Sequence, residues 1–141
     1  MHFPALNEIY WASCGSGAFF NERPIRVSTT QELGKAMGSS LGFVEQATTA
    51  QGDALFKLMR SWEYAYGFMD AYTYASVACG RLDLAVNLLD KAWDCAAGAC
   101  IVAEAGGAYS DIHGTPSVHN GSIILSNGRL HHSVVEWFLH T

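Results

Sequence analysis

Residues 92–107, AWDCAAGACIVAEAGG, have the features of one helix with a defined start and a defined end. Asp94 lies where an N-cap or first-turn acid belongs, because a carboxylate there meets free backbone N–H groups and the positive end of the helix dipole. The glycine pair at 106 and 107 ends the helix, since glycine adopts the left-handed conformation of a C-cap at little cost. The small residues between these points allow other backbone to pack close to the helix.

Asp94 is open to two interpretations. A carboxylate at the mouth of a tightly packed helix is held in one place, as a metal ligand must be. The alternative is a simple helix cap above a small-residue packing face, with no chemical role. The spacing by itself is compatible with both.

A family resemblance is carried by the pattern Trp-Asp-x-Ala-Ala-Gly at 93–98, followed by Glu-Ala-Gly-Gly at 104–107. It resembles the C-terminal signature of the inositol monophosphatase family, which are magnesium-dependent, lithium-sensitive phosphate monoesterases. Residues 60–62 (RSW), 79–84 (CGRLDL) and 126–131 (SNGRLH) most resemble its histidinol-phosphatase branch. The resemblance runs over nearly all of the chain.

Length and composition indicate one globular domain over residues 1–141. Half of the residues are apolar, and the net charge of −5 disfavours a nucleic-acid partner, whose phosphates demand a basic face. No apolar run reaches about 18 residues, so a membrane span is not expected. The N-terminus lacks the pattern of a signal peptide. Four cysteines without a Cys-x-x-Cys pair predict free, mostly buried thiols in a reducing cytoplasm.

Short strands lead the chain, and alternating helices and strands follow, which is typical of a layered α/β domain. The resemblance implies the family's α-β-α-β-α sandwich, with this chain similar to its C-terminal half. The predicted helices cover 50–60, 65–79 (with Phe68 and Met69 among its core residues), the Asp94 segment and 129–140, after a short helical turn that starts near 29–32. The predicted strands are an antiparallel meander at 9–12, 18–20 and 25–28, and further strands at 37–43, 82–86, 108–110 and 122–126.

Site residues follow from the resemblance by motif position. Asp94 matches the aspartate that ligates the family's second metal. Substrate contacts are implied for Glu63, Tyr64 and Ala65, where the family has Gly-Thr-Ala or Gly-Asp-Cys, and for Asn87, where it has Glu or Asp. Asn87 keeps hydrogen-bonding capacity but lacks the charge that would bind a hydroxyl or an ammonium group. A surface acid at 63 and a turn residue at 87 are the alternatives.

The family's central motif, Asp-Pro-x-Asp-Gly-Thr, is not found, because the three prolines follow Phe3, Arg23 and Thr115. In family order Met1 falls after that motif, so we expect the N-terminal metal-motif half to lie outside this chain. Two Mg²⁺ ions about 3.5–4 Å apart would neutralise the phosphoryl oxygens and activate a water. Each ion takes about six oxygen ligands, so Asp94 alone cannot hold them and we assign no catalytic residue within the chain.

Other polar positions carry structural expectations. Glu104 belongs to the family signature but lies about 15 Å of helix rise from Asp94, so a structural role is expected. His113 and His119 are expected in a solvated loop, since their spacing is not that of a metal site. The Gly-x-Gly at 15–17 predicts a hairpin turn rather than a phosphate-binding loop.

Three functions remain open. The first is a Mg²⁺-dependent phosphatase acting on histidinol phosphate or inositol monophosphate, a cytoplasmic homodimer that uses no nucleic acid or membrane. The second is a catalytically inactive truncated homologue that acts through subunit association. The third is a sugar- or nucleotide-phosphate phosphatase of the same superfamily.

Overall fold

The computed structural model describes residues 1–67 and 70–141. The predicted core positions Phe68 and Met69 lie outside the described residues. The strands are β1 (His2–Phe3), β2 (Glu8–Ser13), β3 (Gly17–Phe20), β4 (Arg23–Ile25), β5 (Met37–Ser39), β6 (Tyr64–Tyr66), β7 (Leu84–Asn87), β8 (Ala108–Ser110) and β9 (Ile123–Ser126). The helices are α1 (Phe43–Ala47), α2 (Gly52–Met59), α3 (Asp70–Ala78), α4 (Ala92–Glu104) and α5 (His131–Leu139), and short 3₁₀ turns cover Pro4–Leu6 and Leu33–Lys35.

The first sheet is an antiparallel meander in the order β1-β2-β3-β4. Tyr10 pairs with Phe20, and Ser13 pairs with Gly17 at the turn end of the β2–β3 hairpin. The predicted meander is therefore confirmed, including the turn at residues 14–16. Its last strand ends at Ile25, earlier than the predicted 25–28.

The second sheet has the order β6-β5-β7-β9-β8. Strands β6, β5 and β7 run parallel, whereas β9 pairs antiparallel with both β7 and β8. All four residues of β7 and all four of β9 are buried. Both faces of this sheet are therefore covered, as their nearly continuous apolar sequences require.

The elements stack in four layers, in the order sheet, helices, sheet, helices. Helices α3 and α4 pack between the two sheets, and α2 and α5 cover the far face of the second sheet. Ala85 of β7 belongs to the core between the sheets, whereas Leu84 and Val86 belong to the core under α2 and α5. The predicted layered α/β fold is confirmed.

The close approach of α3 and α4 depends on Gly98. A Cβ atom built on Gly98 would lie 2.7 Å from the Cβ of Tyr74, which is nearer than real Cβ atoms come. The predicted small-residue packing face of α4 is therefore confirmed, and its partner is α3.

Glu104 joins the last turn of α4 to the first sheet. Its Oε1 accepts a hydrogen bond of 2.9 Å from the Gly15 N–H, and its Oε2 accepts one of 3.0 Å from the Gly17 N–H. The structural role predicted for Glu104 is confirmed, because its carboxylate accepts hydrogen bonds from two backbone N–H groups of the β2–β3 hairpin.

Two element predictions were wrong in their bounds. The helix predicted over 65–79 was wrong at its start, because Tyr64–Tyr66 instead pairs in parallel with β5 at the edge of the second sheet; in the described residues α3 covers Asp70–Ala78. The strand predicted over 37–43 ends at Ser39, because Gly42 has a left-handed backbone (φ 58°) and Phe43 begins α1. The early helical turn lies at Leu33–Lys35, just after the predicted start.

The cysteine prediction holds in part. All four thiols are free, and Cys95 is buried while Cys100, on another face of the same helix, is exposed. Cys14 is also exposed and Cys79 is half-buried, so the expectation of mostly buried thiols was wrong. None of the described helices is long and apolar enough to cross a bilayer.

Candidate active site

Asp94 occupies the first turn of α4. Its Oδ2 accepts a hydrogen bond of 3.1 Å from the Lys91 N–H, one of the backbone donors that a helix start leaves without an intrahelical partner. The side chain is exposed and lines a cleft. Asp94 is therefore the predicted first-turn acid, and its position leaves the carboxylate accessible to a ligand.

The cleft beside Asp94 has a volume of about 530 Å³ and lies where parallel strands end. Leu41 follows β5, Leu89 and Asp90 follow β7, and Asp70 is the first described residue of α3. In open α/β sheets, ligands bind in the crevice outside the carboxyl ends of the strands. The lining residues are Leu41, Gly42, Glu45, Gln46, Asp70, Ala71, Tyr74, Leu89, Asp90, Trp93 and Asp94.

The cleft is acidic. Glu45, Asp70, Asp90 and Asp94 line it, and no lysine, arginine or histidine is among its lining residues in the described part of the chain. Carboxylate oxygens are the ligands that Mg²⁺ prefers, so the type of donor at Asp94 fits this ion. The number of donors does not fit, because residues 1–67 and 70–141 contain no group of three His, Cys, Asp or Glu arranged to hold a metal.

Asn87 lies below the cleft at the end of β7 and is 1% exposed. Its Oδ1 accepts a hydrogen bond of 2.9 Å from the Leu41 N–H, and its Nδ2 donates one of 2.7 Å to the hydroxyl of Tyr74. Both ends of the amide are therefore bonded within the fold. This placement is that of a buried strand residue rather than a turn residue.

Tyr74 links Asn87 to Asp90 by hydrogen bonds. Its hydroxyl donates a hydrogen bond to the Oδ2 of Asp90. Burial, and after it the negative charge of Asp90, raise the pKa of Tyr74 well above its usual range. The hydroxyl therefore stays protonated and acts as a donor toward the cleft.

Asp90 is a residue that sequence reasoning missed. Burial raises the pKa of its carboxyl above the usual range, the hydrogen bond from Tyr74 works against that rise, and the nearby charge of Asp94 adds to it. Its backbone N–H donates a hydrogen bond of 3.0 Å to the Gly121 carbonyl. The signal that could have found it is an acid four residues before Asp94, in the segment that links β7 to α4.

The other predicted substrate contacts lie elsewhere. Glu63, Tyr64 and Ala65 are exposed. Ala65, on the edge strand β6, pairs with Gly38 on β5. They are not among the lining residues of the acidic cleft, whereas Asp94 lines it and Asn87 reaches it through Tyr74. The structure thus joins Asp94 and Asn87 to one cleft and leaves Ala65 on β6 and Glu63 just before that strand.

The histidine expectations are met by the loop after β8. His113 and His119 are both exposed. Asp111 organises this loop, because its Oδ1 accepts hydrogen bonds from the His113 and Thr115 N–H groups and its Oδ2 accepts one from Asn120. Burial would raise the pKa of Asp111, but these hydrogen bonds outweigh it and hold the pKa below its usual range.

Comparisons with known proteins agree on one family. The family model described as the inositol monophosphatase family matches residues 1–138. A fructose-1,6-bisphosphatase/inositol-1-monophosphatase of Thermotoga maritima is 37% identical over 138 residues, which are 96% of this chain and 52% of that protein. A histidinol-phosphatase of Chlorobaculum parvum is 36% identical over 129 residues, covering 89% of this chain and 49% of that protein.

The fold comparison gives the same result. The structure of an inositol monophosphatase from Anabaena superposes with a TM-score of 0.88 at 30% identity, covering 98% of this chain and 59% of that one. The chain therefore spans about half the length of the curated relatives it matches.

Proposed function

The chain belongs to the inositol monophosphatase family, and from this premise we propose that it forms the C-terminal part of a Mg²⁺-dependent phosphatase of small phosphorylated metabolites. The observation that carries the proposal is the position of Asp94, a first-turn carboxylate exposed in a cleft at the carboxyl ends of parallel strands. The prediction of the family and its fold from the segment 92–107 is confirmed by the matches to this family.

Asp94 would supply one oxygen ligand to a metal centre whose remaining carboxylates lie outside the chain. When bound, Mg²⁺ would neutralise phosphoryl oxygens and make a coordinated water nucleophilic. The role of this chain would be to fix one ligand: the Lys91 N–H and the start of α4 hold the Asp94 carboxylate toward the cleft. The acidic residues around Asp94 would draw cations into the same space.

The substrate would approach from the strand ends beside the cleft. Histidinol phosphate and inositol monophosphate are the candidates, since the relatives include a histidinol-phosphatase and an inositol-1-monophosphatase. Ala65 on the exposed edge strand β6 and Glu63, just before that strand, stay proposed substrate contacts. Asn87 stays part of the proposed substrate site as a positioning residue, because it acts through the Tyr74 hydroxyl.

We propose a homodimer in the cytoplasm. Two observations support this. Four free thiols, of which Cys14 and Cys100 are exposed, fit a reducing compartment. On the first sheet, Trp11 is 43% exposed and stacks on Phe19 with ring centroids 4.4 Å apart, an apolar surface suited to a partner. Light scattering coupled to gel filtration measures the subunit number.

The activity test joins this chain to the part of the Thermotoga maritima relative that lies outside the match, by fusion or co-expression. With Mg²⁺, we expect phosphate release from histidinol phosphate or inositol 1-phosphate by the joined protein and none by the 141-residue chain alone. Asp94→Asn should abolish release.

The matched control is Asp53→Asn, because Asp53 is the first-turn acid of α2 and does not line the cleft. Equal phosphate release by Asp94→Asn and Asp53→Asn would contradict the proposal. So would phosphate release by the chain alone at the rate of the joined protein.

A further inference from the structure

The amide of Asn87 is 1% exposed, is bonded at both ends within the fold and does not line the cleft. The hydrogen bonds run in one direction: Leu41 N–H to Asn87 Oδ1, Asn87 Nδ2 to the Tyr74 hydroxyl, and the Tyr74 hydroxyl to Asp90 Oδ2. Each donor in such a chain polarises the next, so the chain favours negative charge at its last acceptor. That acceptor is Asp90, at the wall of the cleft.

Asp90, unlike Asn87, is exposed enough to contact a ligand in the cleft. It is half-exposed and lines the acidic cleft together with Asp94, whereas Asn87 is 1% exposed. Its position is set twice, by the Tyr74 hydroxyl on the side chain and by the Gly121 carbonyl on the backbone N–H. A side chain held in this way loses little conformational freedom when it binds a ligand.

The neutral amide at position 87 is consistent with this arrangement. A carboxylate there could not donate to Tyr74, and it would place a second negative charge on the same hydroxyl as Asp90. The Asn87 amide therefore positions the Tyr74 hydroxyl, and the Asp90 carboxylate, three residues later, carries the negative charge.

We propose that Asp90 is the specificity-determining carboxylate of this cleft, that it binds a protonated amine on the alcohol part of the phosphate ester, and that Tyr74 and Asn87 position it. The inference rests on the proposed function, since it assigns the substrate class of the same site. An amine is favoured over a neutral polyol because the described residues that line the cleft include four carboxylates and no cationic side chain. Trp93, 83% exposed at the same cleft, offers an aromatic face that also favours a cation.

The test measures binding without phosphate or metal, so that it does not depend on turnover. The ¹⁵N-labelled chain is titrated with L-histidinol, the amino alcohol that a histidinol-phosphatase would release, at a pH where the imidazole is neutral. Its deaminated analogue, imidazolylpropanol, is titrated in parallel. We expect L-histidinol to shift the amide signals of residues that line the cleft and to bind at least about fivefold more tightly than the analogue, as a charge-assisted hydrogen bond requires.

Three variants separate the roles. Asp90→Asn should remove the preference for the amine, and Tyr74→Phe should weaken L-histidinol binding by about two- to fivefold, because Asp90 loses the donor that holds it. Asp53→Asn is the control, since it removes one negative charge from an exposed residue that does not line the cleft; it should change affinity by less than about twofold. Amide-signal dispersion shows that each variant is folded.

The proposal is overturned if the wild-type chain does not prefer L-histidinol to its analogue, if Asp90→Asn keeps the preference, or if Asp53→Asn removes it equally. Absence of phosphate release from the joined protein, with the amine preference intact, would overturn the phosphatase proposal and leave the binding role of Asp90 standing.

Discussion

The side-chain amide of Asn87 donates a hydrogen bond of 2.7 Å to the hydroxyl of Tyr74, which lies on a different layer of the fold. Asn87→Asp replaces that donor by a buried carboxylate. We expect a loss of about 2–4 kcal/mol in the free energy of unfolding at neutral pH. The new charge is desolvated, and it faces the Tyr74 hydroxyl, whose proton is already donated to Asp90. Urea unfolding measures it.

The loss from Asn87→Asp should shrink as the pH falls, since burial raises the folded-state pKa of the new carboxyl and protonation removes its charge. The same substitution at exposed Asn21 is the control and should cost less than about 1 kcal/mol. A cost at position 87 no larger than at position 21 would show that the amide proton of Asn87 is not needed.

Glu104→Ala removes both acceptors of the Gly15 and Gly17 N–H groups. We expect a loss of about 1–3 kcal/mol in the free energy of unfolding and faster hydrogen exchange at these two amides. Glu136→Ala, which breaks only an exposed pair with His140, should cost about 0–1 kcal/mol. Unchanged exchange at residues 15 and 17 would refute the link between α4 and the hairpin.

Gly98→Ala places a Cβ 2.7 Å from the Cβ of Tyr74. We expect a loss of about 1–3 kcal/mol in the free energy of unfolding, because forced separation of α3 and α4 outweighs the higher helix propensity of alanine. The reverse change at the exposed position, Ala97→Gly, should cost about 1 kcal/mol through propensity alone. A Gly98→Ala protein more stable than the wild type would contradict the close packing.

Because of His131, we expect the free energy of unfolding to depend on pH near neutrality. Its Nδ1 and Nε2 each lie 2.9 Å from a serine hydroxyl, on Ser126 and Ser110, and burial lowers its pKa. The unfolded chain therefore binds a proton more readily than the folded one, so stability should fall as the pH drops below about 6.5, the ordinary pKa of histidine. Denaturant unfolding at a series of pH values measures this slope.

His131→Asn should remove most of that slope, and His132→Asn, at the exposed neighbour, should retain it. If His132→Asn removes the slope and His131→Asn leaves it intact, the pH dependence does not come from His131, which would contradict the prediction.

The sequence predicts those parts of the fold that depend on the spacing of residues close together in the chain. The Asp94 helix, the small face at Gly98 and the structural role of Glu104 follow from spacing and from the resemblance. The strand at 64–66 was missed because its pairing with β5 is a tertiary contact that overrides local propensity.

Asp90 was missed for a similar reason. Its partner Tyr74 lies on α3, and the hydrogen bonds from Asn87 to Tyr74 and from Tyr74 to Asp90 form only after the layers have packed. The exposed surroundings of Cys14 and Cys100 likewise depend on which faces the layers leave uncovered.

The role of Asp94 in holding a metal is tested most directly with Mn²⁺, a paramagnetic substitute for Mg²⁺, added to the joined protein with this chain ¹⁵N-labelled. We predict that amide signals near Asp94, among them Trp93 and Cys95, broaden first, that Asp94→Asn abolishes this and that Asp53→Asn does not. Broadening centred elsewhere, or unchanged by Asp94→Asn, would contradict the assignment of Asp94 as a metal ligand.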